Sequence, residues 1–294
     1  MTIFVYNDVR AKKGAFQMKG IYSVIGKTIV GVLMIFAIIL VLSLLDQVLL
    51  KEANFGNFIS PIGLGLTAGL MVVLFERKNK FDIGWKDRFA VQHVFTGIVM
   101  SMIVMTVTMF FMLMTGKVAL QEQFFGWNII LFHVFLFLMV ATGEEWLLRG
   151  YFFGLYQTKI GNKTAIFLNS ILFTTIHLFN PESFSRPIEH MLIEMTNIFL
   201  ISLFLSMTRL FSGSLWMPIA IHFSINFLQS AIFGFANGGK EVESVFHLIY
   251  DELTLWNGSG YGLESSFIFT PILVLANGML FVLYRRKRKK VLEV

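Results

Sequence analysis

Eight stretches of this chain are apolar over about the length needed to cross a bilayer, and no other feature constrains the fold as strongly. A spanning helix takes about 20 mainly apolar residues. Runs of that kind fall at roughly 29–50, 58–75, 91–115, 127–154, 164–180, 189–208, 215–235 and 266–284. The fifth is short and polar for a free-standing span, so it must lean on its neighbours. Composition agrees: 56% of the 294 residues are hydrophobic, against about 45–50% in a soluble domain, and the mean hydropathy is +0.72. The expected fold class is all-α, a polytopic transmembrane helix bundle of about eight spans lodged in a lipid bilayer.

Positive charge orients the bundle. With the N-terminus in the cytoplasm, the inner segments hold Arg10, Lys12, Lys13, Lys19, Lys27, Arg77, Lys78, Lys80, Lys86, Arg88, Lys159, Lys163, Arg209 and the tail "RRKRKK" at 285–290. The outer segments hold only Lys51, Lys117, Arg186 and Lys240. A bias of 19 to 4 follows the positive-inside rule and puts both termini in the cytoplasm. The excess of +6 therefore reads as membrane-surface anchoring, and no nucleic-acid partner is expected. Residues 1–28 form a basic cytoplasmic segment, or an interfacial helix, without a small-residue cleavage site. Segment 29–126 carries three N-terminal spans, 127–235 a polar core described next, 236–284 an outer loop and the last span, and 285–294 a basic cytoplasmic tail.

Several chemistries are excluded at once. The chain has no cysteine, which removes disulfides, thiolate metal sites and cysteine nucleophiles. It also lacks a GxxxxGK[ST] phosphate loop, an HExxH helix and a GxGxxG turn.

Three charges nevertheless lie inside the apolar run "MVATGEEWLLRGYFFGLY" at 139–156. A charge at a helix centre costs about 2.5–3.5 kcal/mol on insertion scales and faces the bundle interior. Glu145 and Arg149 are four apart, share a face and can pair. Glu144 has no such partner, since its own position four residues on is Leu148. A lone buried carboxylate suits a group that takes up and returns a proton. Partners should lie in other spans. The fifth carries "FTTIHLF", with Phe173 and His177 at i and i+4, and the seventh "WMPIAIHFSINF", with His222 and Asn226 at the same spacing. At about 1.5 Å per residue, His222 and Glu144 both lie about 10 Å from the cytoplasmic end of their helices, and His177 about 20 Å. Within boundary error the three can meet in the cytoplasmic half of the bundle.

Other polar residues carry weaker signals. His133 lies three turns before Glu144 and reads as a packing histidine, while His190, Glu194 and Asn197 form a polar stripe in the sixth span, with Glu194 in a packing or interfacial role. Pro218 is expected to kink or bend the seventh helix and could free a carbonyl near the site. His93 and His247 sit at span edges, and the sequons at Asn162 and Asn257 are chance-level.

The three polar motifs together resemble the CAAX prenyl endopeptidase and bacteriocin-processing family (CPBP, or Abi) of intramembrane proteases, whose pattern is EExxxR, FxxxH and HxxxN/D. Here they read Glu144-Glu145-Trp-Leu-Leu-Arg149, Phe173-Thr-Thr-Ile-His177 and His222-Phe-Ser-Ile-Asn226, in family order, within about residues 127–230. The resemblance implies a peptidase acting on peptide or protein substrates in or at the membrane. Glu144 would activate a water that His177 helps hold, His222 and Asn226 would stabilise the oxyanion, and Arg149 would hold Glu145. It implies processing of prenylated CAAX proteins in eukaryotes, and bacteriocin maturation, immunity or cell-surface functions in bacteria. Compact loops and short length lean towards a bacterial plasma membrane. Glu144, Glu145, His177 and His222 could also bind zinc, and the family has been described both as metallo-type and as metal-free glutamate-type. Arg149 nearby opposes a divalent cation, so no tightly bound metal is the preferred reading. The alternatives are an ion-coupled transporter, since intramembrane carboxylates and histidines also make proton paths, and a catalytically silent scaffold.

Overall fold

The computed structural model describes residues 2–49, 55–78, 81–123, 126–179, 184, 187–237 and 242–292. Lys51, Lys80, Arg186 and Lys240 of the charge count lie outside those residues. Among the described residues the chain forms eight helical rods, each covering one apolar run. They are α1 (Thr2–Leu49), α2 (Gly56–Phe75), α3 (Ala90–Met114), a long rod built from α4 (Trp127–Glu145), a π turn (Trp146–Phe152) and α5 (Phe153–Ile160), then α6 (Asn162–His177), α7 (Ile188–Ser212), α8 (Trp216–Asn226) followed by a second π turn (Phe227–Ile232), and α9 (Phe269–Leu292). No helix break separates residues 1–28 from the first span.

Five rods are long and apolar enough to cross a membrane: Met18–Val48, Gly56–Phe75, Ala90–Met114, Trp127–Ile160 and Ile188–Ser212. The protein is accordingly an integral membrane protein built as a helical bundle. Helix α6 has 16 residues and α8 has 11, too short to span alone; α6 lies against α7, and α8 against α3.

Among the described residues the chain also forms a two-stranded ribbon. Strand β1 (Val118–Glu122) pairs antiparallel with β2 (Phe246–Tyr250), Val118 opposite Tyr250 and Glu122 opposite Phe246. Hydropathy did not reveal this ribbon, because each strand has only five residues. A second expectation fails at Pro218. It sits in the first turn of α8, where an amide N–H has no partner within the helix anyway, so the ring breaks no hydrogen bond there.

Among the described residues two large apolar cores divide the bundle, with a small third around Ala141, Leu215 and Ile219. One gathers α3, α7, α8, the ribbon and α9 around Met105, Leu205, Ile221 and Phe269. The other surrounds the first π turn, where Leu147, Leu148, Tyr151, Phe152 and Phe153 pack with Met71 of α2 and Phe173 of α6. Lipid tails are as apolar as leucine, so close packing rather than expulsion of water drives such contacts. Gly143 shows how close: a β-carbon there would overlap the Pro61 carbonyl of α2. The loop between α2 and α3 closes over the same region. Phe81 lies on Gly154, Ile83 on Gly150, and Trp85 meets Trp146 and Trp216 edge-to-face, with centroids 5.9 and 5.3 Å apart.

Candidate active site

The first π turn begins at the residue after Glu145. A π turn holds one extra residue, which rotates everything beyond it by about 100° relative to a continuous α-helix. Such a turn strains the regular backbone pairing, and neighbouring helices supply donors to it. Asn169 of α6 donates its side-chain N–H to the Leu148 carbonyl (2.7 Å), and Arg209 of α7 donates Nε–H to the Arg149 carbonyl (3.3 Å). Ser206 in turn donates to Asn169 Oδ1 (3.2 Å). All of these side chains are buried.

Arg149 is fully buried and held from three sides, with its Nε–H left without a hydrogen-bond partner. Its Nη1–H donates to Glu145 Oε1 (2.9 Å), and its Nη2–H donates to Ser202 Oγ (2.8 Å) and towards the Ser202 carbonyl (3.4 Å). The guanidinium lies 4.5 Å above the Phe173 ring, a cation–π contact in a desolvated setting. The Glu145–Arg149 pair is 0% exposed on both sides, so each charge depends on the other to offset its burial.

The candidate residues of the other two motifs converge on this pair. His222 of α8 approaches Glu145 Oε1 with Nδ1 (2.8 Å) and turns Nε2 towards Glu144 Oε2 (3.9 Å). Phe173 joins the second motif to the rest. Its ring lies tilted against His177 with centroids 4.3 Å apart and meets His222 edge-on at 6.3 Å, while its carbonyl bonds His177 Nδ1 (2.9 Å). Asn226 stands one turn beyond His222, at the last residue of α8; among the described residues no hydrogen bond ties its side chain to the other five.

The two glutamates differ in kind. One oxygen of Glu145 serves both Arg149 and His222. Glu144 is 16% exposed and its Oε2 is buried without a hydrogen-bond partner. Glu145 keeps its second oxygen, Oε2, buried and without a hydrogen-bond partner. Among the described residues no group of three or more His, Asp or Glu side chains is placed to hold a metal ion.

The residues outside the motifs fall where their chemistry needs partners. His133 is buried between Phe132 and Phe137, a packing histidine. His93 bonds Asp87 (2.5 Å) at the start of α3. Glu194 is buried against Ser265 (3.0 Å), and Asn197 donates to the Glu264 and Ser266 carbonyls (2.7 and 2.8 Å), so this stripe closes the bundle against the chain entering α9. Asn257 is buried and spends its side chain on a turn. Sequence reading missed Asn169, Ser202, Ser206 and Arg209. Their signal was present but faint: Ser202, Ser206 and Arg209 recur at four- and three-residue intervals on α7, and Asn169 is a lone amide on α6.

Comparison with known proteins points the same way. None of the curated proteins gives a significant match to the chain. A family model described as Rce1-like, type II CAAX prenyl endopeptidase Rce1-like, matches residues 126–228, a segment containing all six candidate residues and both π turns' first residues. That match is consistent with the CPBP/CAAX protease family, a family of membrane endopeptidases, and supports a CAAX-protease-type endopeptidase acting on peptide or protein substrates at the membrane.

Proposed function

We propose that the protein is an intramembrane endopeptidase in which Glu144 is the general base for an attacking water, working in a bacterial plasma membrane with both chain ends in the cytoplasm. The observation that carries this reading is the asymmetry of the glutamate pair. Glu145 holds Arg149 and His222 through Oε1, whereas Glu144 makes no hydrogen bond among the described residues and turns its buried Oε2 to the same histidine across 3.9 Å. That gap is too long for a direct hydrogen bond and suits a bridging water.

The chemistry follows from those positions. Glu144 takes a proton from the water as its oxygen adds to the scissile carbonyl carbon. His222, as an imidazolium with a proton on each ring nitrogen, donates Nδ1–H to Glu145 and offers Nε2–H to the oxyanion, and Asn226 offers its amide N–H. Preorganised donors of this kind are worth about 3–4 kcal/mol each in acyl-transfer enzymes. His177, oriented by the Phe173 carbonyl through Nδ1, holds the water on the opposite side. The tetrahedral intermediate collapses with cleavage of the C–N bond, and the proton held by Glu144 passes to the leaving amine. Arg149 touches no reacting atom; it fixes Glu145, and through it the ring plane of His222.

A groove of about 400 Å³ lined by Ile62, Gly65, Leu66, Gly69, Leu70 and Trp146 lies along α2, one residue from the glutamate pair. Two glycines of α2 leave room over the indole, which supports an apolar element in the substrate.

The test compares new peptide termini in membranes holding wild type or Glu144→Gln at matched abundance. The isosteric variant should lose cleavage by about 10²–10⁴-fold, the usual contribution of a general base, with unchanged folding. Wild-type cleavage should persist in 1,10-phenanthroline. Termini that survive Glu144→Gln would remove Glu144 from its role; no termini from either protein would favour the carrier or scaffold.

A further inference from the structure

A second site lies at the opposite side of α7, away from the glutamates. A cavity of about 750 Å³ opens between the start of α6, the end of α7 and the charged end of α9. Its floor is apolar, formed by Ile166, Met207 and Leu210, and its rim carries Lys163, Arg285, Arg286 and Lys289. All four cations are exposed, and among the described residues no carboxylate lines the cavity. The neighbouring Lys287 points the other way: it donates to the Phe211 carbonyl (3.0 Å) and lies 4.6 Å over the Phe211 ring. Asn277 fastens α9 to α7 further in, donating to the Leu200 carbonyl (3.0 Å). The gap is thus a fixed part of the α7–α9 junction.

We propose that this cavity binds an anionic phospholipid. Like charges gathered around one opening repel each other and call for an anion. The apolar floor lies directly beneath them, so the ligand must continue from a phosphate into hydrocarbon. The site also falls where α9 passes from the apolar run ending at Tyr284 to its basic end, the headgroup level of the leaflet that the charge bias assigns to the cytoplasm. A basic pocket between spanning helices at that depth is the arrangement that holds an acidic lipid headgroup. A free phosphate would satisfy the rim and leave the floor bare.

The test is thermal unfolding of the purified full chain in neutral detergent, with added phosphatidylglycerol, phosphatidylcholine or inorganic phosphate. Phosphatidylglycerol should raise the midpoint by several degrees, because a ligand that binds only the folded state stabilises it. The other two should leave it unmoved. The triple variant Lys163→Gln, Arg285→Gln, Arg286→Gln should lose the shift. The control Arg77→Gln, Lys86→Gln, Arg88→Gln, which removes equal charge from the loop between α2 and α3, should keep it. An equal shift with phosphatidylcholine, or with phosphate alone, overturns the reading of an anionic lipid. A shift that persists in the first triple variant, or disappears in the control, overturns its location.

Discussion

Two π turns interrupt the helices among the described residues, and each starts at the residue after a candidate catalytic group, Glu145 in one case and Asn226 in the other. They are satisfied by different means. The first, buried in mid-bundle, takes donors from side chains on two other helices, Asn169 and Arg209. The second lies beside the ribbon and relies on backbone: Phe235 N–H donates to the Gln229 carbonyl (2.8 Å) and Val245 N–H to that of Ala231 (2.9 Å). Its one side-chain bond among the described residues is from Gln229 Nε2 to Glu264 (2.7 Å), and both turns keep buried side-chain atoms without a partner: Trp146 Nε1, Arg149 Nε and Tyr151 Oη in the first, Gln229 Oε1 and Ser230 Oγ in the second. Where only helices are within reach, an irregular turn needs polar side chains; where a loop comes close, main chain suffices. The first turn should therefore be sensitive to single substitutions and the second tolerant of them.

The contrast can be broken most sharply at Arg149. Arg149→Ala strands a fully buried Glu145, and loss of one member of such a pair costs about 3–5 kcal/mol. Expression and monodispersity should fall steeply, before any assay of cleavage. Asn169→Leu keeps the shape and removes the donor to the Leu148 carbonyl, so its expected cost is about 1–3 kcal/mol, the penalty of an unmade buried hydrogen bond, with a lowered unfolding midpoint. The matching change in the second turn, Gln229→Leu, leaves the backbone bonds in place and should cost about 1 kcal/mol or less. Equal losses from Asn169→Leu and Gln229→Leu would erase the distinction. The smallest effect lies outside the bundle. Burial alone would raise the Asp87 carboxyl, but its hydrogen bonds with His93, Ser214 and the Phe89 N–H hold it below the usual carboxylate range. A depressed folded-state value means stability that is present at neutral pH and lost as pH falls through that value. Asp87→Asn should cost about 0.2–1 kcal/mol at neutral pH, and the difference from wild type should vanish in acid.

Much of the architecture was legible because hydropathy is a long-range signal. A long apolar run leaves little choice but helix, and among the described residues each of the eight runs lies on a helical rod, five of the rods being long and apolar enough to cross a membrane. The Glu145–Arg149 pair was legible because a four-residue spacing fixes a shared face. The partner of Glu144 was not, since it comes from a helix 78 residues further along the chain (Glu144 to His222), and only the recurrence of polar pairs on separate spans hinted at it. The π turns left no mark in the sequence: a shift from one hydrogen-bond step to the next depends on tertiary donors, and Trp146–Phe152 has an ordinary helical composition. The ribbon escaped for a related reason, since "VALQE" and "FHLIY" become strands only on meeting each other.

That ribbon has a topological consequence. Strand β1 ends just before residue 126 and β2 begins after residue 228, so the two strands bracket the whole segment that matches the protease family. Paired strands stand about 4.8 Å apart, which brings the two ends of the segment almost together on one side of the membrane. The core is in effect a ring closed by a clasp. A chain built this way can carry different helices before and after the ring without altering where its ends must meet, and a cut in the clasp would open the ring without touching a single residue inside it.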